Sequence, residues 1–194
     1  MKKINSKCLS LVIIMLLFYN CAGDIYKRMS VEDPKTLLSI QDSLLSKRAN
    51  DQSIVDALVN AHNNIAQKYI DKGDIVSAIK HYKKANELNS SNKISKYGLL
   101  ISEGRILVNK GNKNGIWDAI EKFSRASTLY PKNGEPFYWM AISYTKLGDT
   151  DFDLILESYE KALSLELSEK QKLDAEKKYE KEMKRKKKLD SFWK

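Results

Sequence analysis

The stretch Gly73-Asp74-Ile75-Val76-Ser77-Ala78-Ile79-Lys80-His81-Tyr82-Lys83-Lys84-Ala85 decides the fold. A glycine and a short carboxylate mark a turn. Ala78, Tyr82 and Ala85 then fall at i, i+4 and i+7, one face of a helix. The order returns twice. Leu107 and Gly111 precede Ala119, Phe123, Ala126, Leu129 and Pro131, and Gly148-Asp149 precede Tyr159, Ala162 and Leu165. Ala85 and Ala126 lie 41 residues apart, Ala126 and Ala162 lie 36 apart. Self-similarity at such a period marks a repeat array, in which each unit buries its apolar face on the next.

Each residue type has a physical task. Gly73 and Gly148 can take the left-handed backbone that ends a helix. Asp74 and Asp149 can cap the following helix by accepting from its free N–H groups. Ala78, Ala85, Ala119, Ala126 and Ala162 are small enough to let two helices approach closely. Tyr82, Phe123 and Tyr159 fill the space between neighbouring hairpins, and Pro131 stops a helix. The units differ mainly at turns, where insertions are tolerated. The second carries the longer turn Gly111-Asn112-Lys113-Asn114-Gly115, and the third has Ile155 where the others have alanine.

This pattern resembles the tetratricopeptide repeat (TPR) family. The resemblance implies an all-α, right-handed TPR-type solenoid of three helix hairpins. The expected repeats cover residues 52–92, 93–133 and 134–167. Their helices are expected at about 52–72, 75–88, 94–110, 115–129, 135–147 and 152–165, with no sustained strand alternation anywhere. An N-terminal helix is expected within 34–51, with Asp33 as N-cap, Pro34 in the first turn and Leu37, Leu38, Ile40, Leu44 and Leu45 as its apolar stripe. Residues 168–194 form a basic C-terminal helix and tail. That helix is expected to cap the array through Leu173, Ala175 or Tyr179, with Lys184-Arg185-Lys186-Lys187-Lys188 projecting into solvent.

The resemblance also implies a concave groove lined by the first helix of each hairpin, where a partner protein or peptide binds. Position by position it assigns Asn60, Asn63 and Gln67 from the first repeat, Ile101, Arg105 and Asn109 from the second, and Tyr138, Ile142 and Lys146 from the third. Such a groove can hydrogen-bond a peptide backbone and anchor one apolar side chain. Trp117, in the longer turn, and Trp139 read as packing residues.

The N-terminus has the layout of an export signal. Lys2, Lys3 and Lys7 precede an apolar run from Leu9 to Tyr19, too short to span a bilayer comfortably. Cys21 follows at once, which resembles a bacterial lipobox, although Phe18, Tyr19 and Asn20 depart from its usual small residues. The resemblance implies acylation of Cys21, a tether over 21–33 and membrane attachment by lipid. Ala22 in place of an aspartate favours the outer membrane in enteric-type sorting. An ordinary export signal that happens to contain a cysteine is the alternative.

The chain of 194 residues holds 34 Lys and Arg against 25 Asp and Glu, a net charge of +9. Residues 1–20 account for +3 and residues 168–194 for +5, so the repeat body is nearly neutral. A generally nucleic-acid-coating protein is thereby excluded. His62 and His81 are the only histidines and fall in separate expected helices. Gly111 to Gly115 lacks the Lys-Ser/Thr of a phosphate loop. Asp149, Asp151 and Asp153 lack the glycine and terminal glutamate of a calcium loop. The two resemblances together imply a non-enzymatic scaffold of the bacterial envelope, with no cofactor, metal or small-molecule substrate expected. An alternative makes the basic tail the active part, binding anionic membrane, cell-wall polymer or nucleic acid.

Overall fold

The computed structural model describes residues 25–48, 50–148 and 152–192. Among them the chain is all-helical, with helices packed in adjacent pairs and no strand beyond a single parallel bridge between Asn133 and Glu166. The helices are α1 (residues 25–32), α2 (Pro34–Ser39), α3 (Gln41–Arg48), α4 (Gln52–Asp71), α5 (Ile75–Leu88), α6 (Lys93–Lys110), α7 (Lys113–Leu129), α8 (Glu135–Leu147), α9 (Phe152–Leu163) and α10 (Glu169–Phe192). The chain divides into two compact units, one ending at Ser95 and one beginning at Lys96.

The first unit is built on the α4–α5 hairpin. The Asp51 carboxylate accepts from Ser53 N and caps α4, and the Asp74 carboxylate accepts from Ser77 N at 3.0 Å and caps α5. Gly73 between them has φ 80°, where a side chain would be strained. Ala78, Tyr82 and Ala85 are all buried, as their spacing requires. On the other side of α4, Leu37 joins Ile54, Ala57, Leu58 and Ala61 in a core.

Two expectations change here. Residues 25–32, read as part of a tether, are helical, and Tyr26 and Met29 rest on that core. The single N-terminal helix is instead two. The N–H of Ile40 turns back to the Leu37 and Leu38 carbonyls and ends α2. This break lets Leu37 enter the core while Ile40 stays outside. The Asp33 cap and Pro34 in the first turn are as expected.

In the second unit α6 and α7 meet where Gly104 lies under the Phe123 ring. A Cβ there would come 2.5 Å from Phe123 Cε1. Ala119, Phe123 and Ala126 on α7 and Ile155, Tyr159 and Ala162 on α9 are buried like their counterparts in α5. The longer turn is not a loop. Gly111 (φ 74°) ends α6, the Asn112 side chain accepts from Gly115 N at 2.7 Å, and α7 starts at Lys113. Trp117 thus sits on a helix, half exposed, with its ring edge-on to Tyr144. Pro131 follows the end of α7, and Gly148 (φ 120°) follows α8. Asp149 and Asp151 lie outside the described residues, as do residues 1–24, where the export signal and Cys21 acylation are expected, and Trp193.

Two loops of this unit are joined backbone to backbone. Glu166 N donates to Lys132 O at 2.9 Å, and Gly134 N donates to Glu166 O at 2.8 Å. A Cβ on Gly134 would collide with the Ala162 carbonyl oxygen, so only glycine fits. From this clip α10 runs back along α8 and α9. Ala175 is buried and Tyr179 half-buried against them, as expected, while Leu173 points outward and is 71% exposed. The distal half of α10 does not project freely. Arg185 stacks over Phe152, Lys186 Nζ lies 2.5 Å from Asp153 Oδ1, and Glu182, 2% exposed, pairs with Arg185. The charged heads of Arg185 and Lys186 make these contacts, which a count of hydrophobic residues misses.

Candidate functional site

In the first unit the assigned groove residues differ in burial along one helix. Asn63 is buried. Its amide donates to Asn92 Oδ1 at 3.3 Å, and its own Oδ1 has no partner. Asn60 is half-buried, and the exposed Gln67 spends its amide on Asp71 within the same helix. A depression of about 270 Å³ opens elsewhere in this unit, between Pro34, Ile65, Lys68, Tyr69 and Lys72.

The two histidines of this unit do come together. His62 Nε2 donates to Gln41 Oε1 at 2.9 Å, which leaves its Nδ1 as an acceptor. His81 Nδ1 donates to it at 3.0 Å, and Tyr69 stacks on the His81 ring. Protonating His62 would set two N–H donors face to face. Burial and the nearby His81 and Lys84 hold its pKa down at about 4, with Glu87 opposing weakly. Burial also lowers His81. Both imidazoles are neutral near pH 7.

In the second unit α6, α8 and α10 are linked by polar rungs of constant offset. Tyr97 OH donates to Glu135 Oε2 and Lys146 Nζ donates to the Val108 carbonyl, each pairing residues 38 apart. Tyr138 OH donates to Asp174 Oδ2 at 2.6 Å and Gln171 Nε2 donates to Glu135 Oε1 at 3.2 Å, each pairing residues 36 apart. A constant offset requires the three helices to run parallel. Lys178 donates to the same Asp174 oxygen at 2.6 Å. Burial works to raise the Asp174 pKa, but the hydrogen bonds from Lys178 and Tyr138 outweigh it and hold the carboxyl below its usual value. Burial and the bond to Asp174 push the Tyr138 hydroxyl far up.

Tyr138 and Ile101 are therefore interior residues, and Tyr138 serves the α8–α10 contact rather than a ligand. Arg105, Asn109, Ile142 and Lys146 remain at least partly open, with Trp139 among them. The Arg105 guanidinium lies 4.9 Å from the centre of the Trp139 ring. Its Nε is buried and has no hydrogen-bond partner. Leaving such a donor unpaired costs about 1–3 kcal/mol. Asn109 follows Arg105 by one helical turn, and Ile142 and Lys146 follow Trp139 at i+3 and i+7. The result is a positive patch with an aromatic floor, an apolar step and a donor that lacks an acceptor. Trp139 packs as its sequence reading expects, stacked on Phe123, edge-on to Tyr138 and resting on the core, and its half-open side lies beside Arg105.

Among the described residues no group of three or more His, Cys, Asp or Glu could hold a metal ion, and no helix is long and apolar enough to cross a membrane. Compared with known proteins, the chain matches no family model. No curated protein matches it either.

Proposed function

We propose that the chain is a TPR-type solenoid acting as a non-enzymatic protein–protein interaction scaffold, with the Arg105–Trp139 face as its partner-binding surface. The fold reading is supported by three helices, α5, α7 and α9, that bury an aromatic residue followed three positions later by alanine, preceded by alanine in α5 and α7 and by Ile155 in α9, with no member more than 4% exposed. The binding reading is carried by the buried, unpaired Arg105 Nε beside a half-buried aromatic and apolar step, Trp139 and Ile142. A peptide carbonyl or carboxylate completes the guanidinium, and an apolar side chain covers Trp139 and Ile142.

Acylation of Cys21 would hold this scaffold on the bacterial envelope, at the outer membrane facing the periplasm, where it would serve assembly of an outer-membrane, pilus or secretion complex. Crosslinking in the native membrane, followed by capture and mass spectrometry, tests the reading. Arg105→Glu removes the captured partner, whereas deletion of residues 184–194 leaves it. A partner set unchanged by Arg105→Glu refutes the assigned face. Intact mass of the same sample reads the lipid, and a mature chain without acyl mass refutes the anchor.

A further inference from the structure

The charges of α10 are sorted by side. Cations facing the rest of the second unit are each paired: Lys178 with Asp174, Arg185 with Glu182, Lys186 with Asp153. Lys170, Lys177, Lys181, Lys184 and Lys188 are all exposed and pair with no carboxylate among the described residues. Their spacings of 7, 4, 3 and 4 residues keep them in one straight stripe. At 1.5 Å per residue it runs about 27 Å. Leu173 flanks the stripe near its start, and Phe192, 83% exposed, lies at its far end. Behind Phe192, a depression of about 360 Å³ is lined by Phe152, Arg185, Lys188 and Leu189.

Five lysines held in line outnumber Glu180, which lies among them, and this excess of positive charge suits an anionic surface opposite them. The shape of that surface follows from the apolar flanks. A straight stripe fits a plane, and exposed Leu and Phe beside lysines gain from contact with acyl chains below a layer of headgroups. Neither residue has a use against a polyphosphate backbone. We propose that the outer face of α10 docks on a membrane surface rich in anionic headgroups, with the lysine stripe over phosphates and Leu173 and Phe192 dipping below them. The proposal does not rest on acylation of Cys21 or on the partner-binding face.

The test is site-resolved, because the N-terminal apolar run of the full chain can bind membranes by itself. The full chain is mixed with phosphatidylcholine vesicles or with vesicles containing about a third phosphatidylglycerol, and exposed amines are acylated and read by mass spectrometry. Lys177, Lys181, Lys184 and Lys188 are protected only by the anionic vesicles, and added salt removes the protection. Lys35 and Lys72 in the first unit serve as internal references. K181E/K184E/K188E weakens binding to anionic vesicles by about fivefold or more per lysine replaced and leaves binding to neutral vesicles unchanged. These side chains are exposed, and circular dichroism checks the helix in the variant. Equal reactivity of the stripe with both vesicle types overturns the proposal. So does protection by a DNA oligonucleotide with none by vesicles, which would make the partner a nucleic acid.

Discussion

The two units face the same problem, sealing polar residues between packed helices, and answer it with different chemistry. The first uses neutral groups: a His62–His81 pair closed by Gln41, and Asn63 against Asn92. The second uses ionised ones: Asp174 between Tyr138 and Lys178, and Glu135 accepting from Tyr97 and Gln171. Neutral pairs are weakened when acid adds a proton that burial opposes. The Asp174 carboxyl, held below its usual value by Lys178 and Tyr138, keeps its charge to lower pH than a free carboxyl does. The shared backbone plan therefore does not give the two units shared responses.

Residue-resolved hydrogen exchange with denaturant melts can break this comparison. The largest effect is expected from Phe123→Ala, which empties the centre of the second unit and costs about 3–5 kcal/mol. Gly104→Ala, at the closest approach to that ring, costs about 1–3 kcal/mol by overpacking. Exchange should rise in α6 and α7 and leave α4 and α5 unchanged. Acid comes next and strikes the other unit. His62 is neutral in the fold with a pKa of about 4, against 6.5 when unfolded. The unfolded chain therefore binds more protons, and stability falls as pH drops from 6.5 towards 4. His62→Gln should flatten that slope. An unchanged slope would show that the pair is not its source.

Tyr138→Phe removes one rung between α8 and α10 and costs roughly 1–2 kcal/mol, read as faster exchange in α10. Asn112→Ala, which uncaps α7, is the smallest, at about 1 kcal/mol.

Much of the helix plan was legible because its signals are local. Gly73, Gly148 and the capping Asp74 punctuate the chain, and the bounds of α5 and α8 follow from them. The break at Ile40 was not legible, since no proline or glycine marks it and only burial of Leu37 demands it. Asn112 as a cap was hidden between two glycines that read as a loop. At the candidate site, Arg105 and Lys146 were assigned by the repeat resemblance, and both are at least partly open. The loss of Tyr138 to Asp174 depends on where α10 returns, 36 residues later, and no local pattern encodes that. The contacts of Arg185 and Lys186 were missed for the same reason, as a run of basic residues reads as solvated.

The backbone clip at Glu166 also has a mechanical meaning. It pins the start of a rod of 24 residues, about 36 Å long, to the loop around Gly134. A rod held at one end is a lever with its fulcrum at the clip. Asp174 acts close to the fulcrum, and Lys186 acts near the tip. A pull on the lysines around Lys188 therefore loads the Lys186–Asp153 contact first, and the tyrosine rung yields only after the tip has swung away.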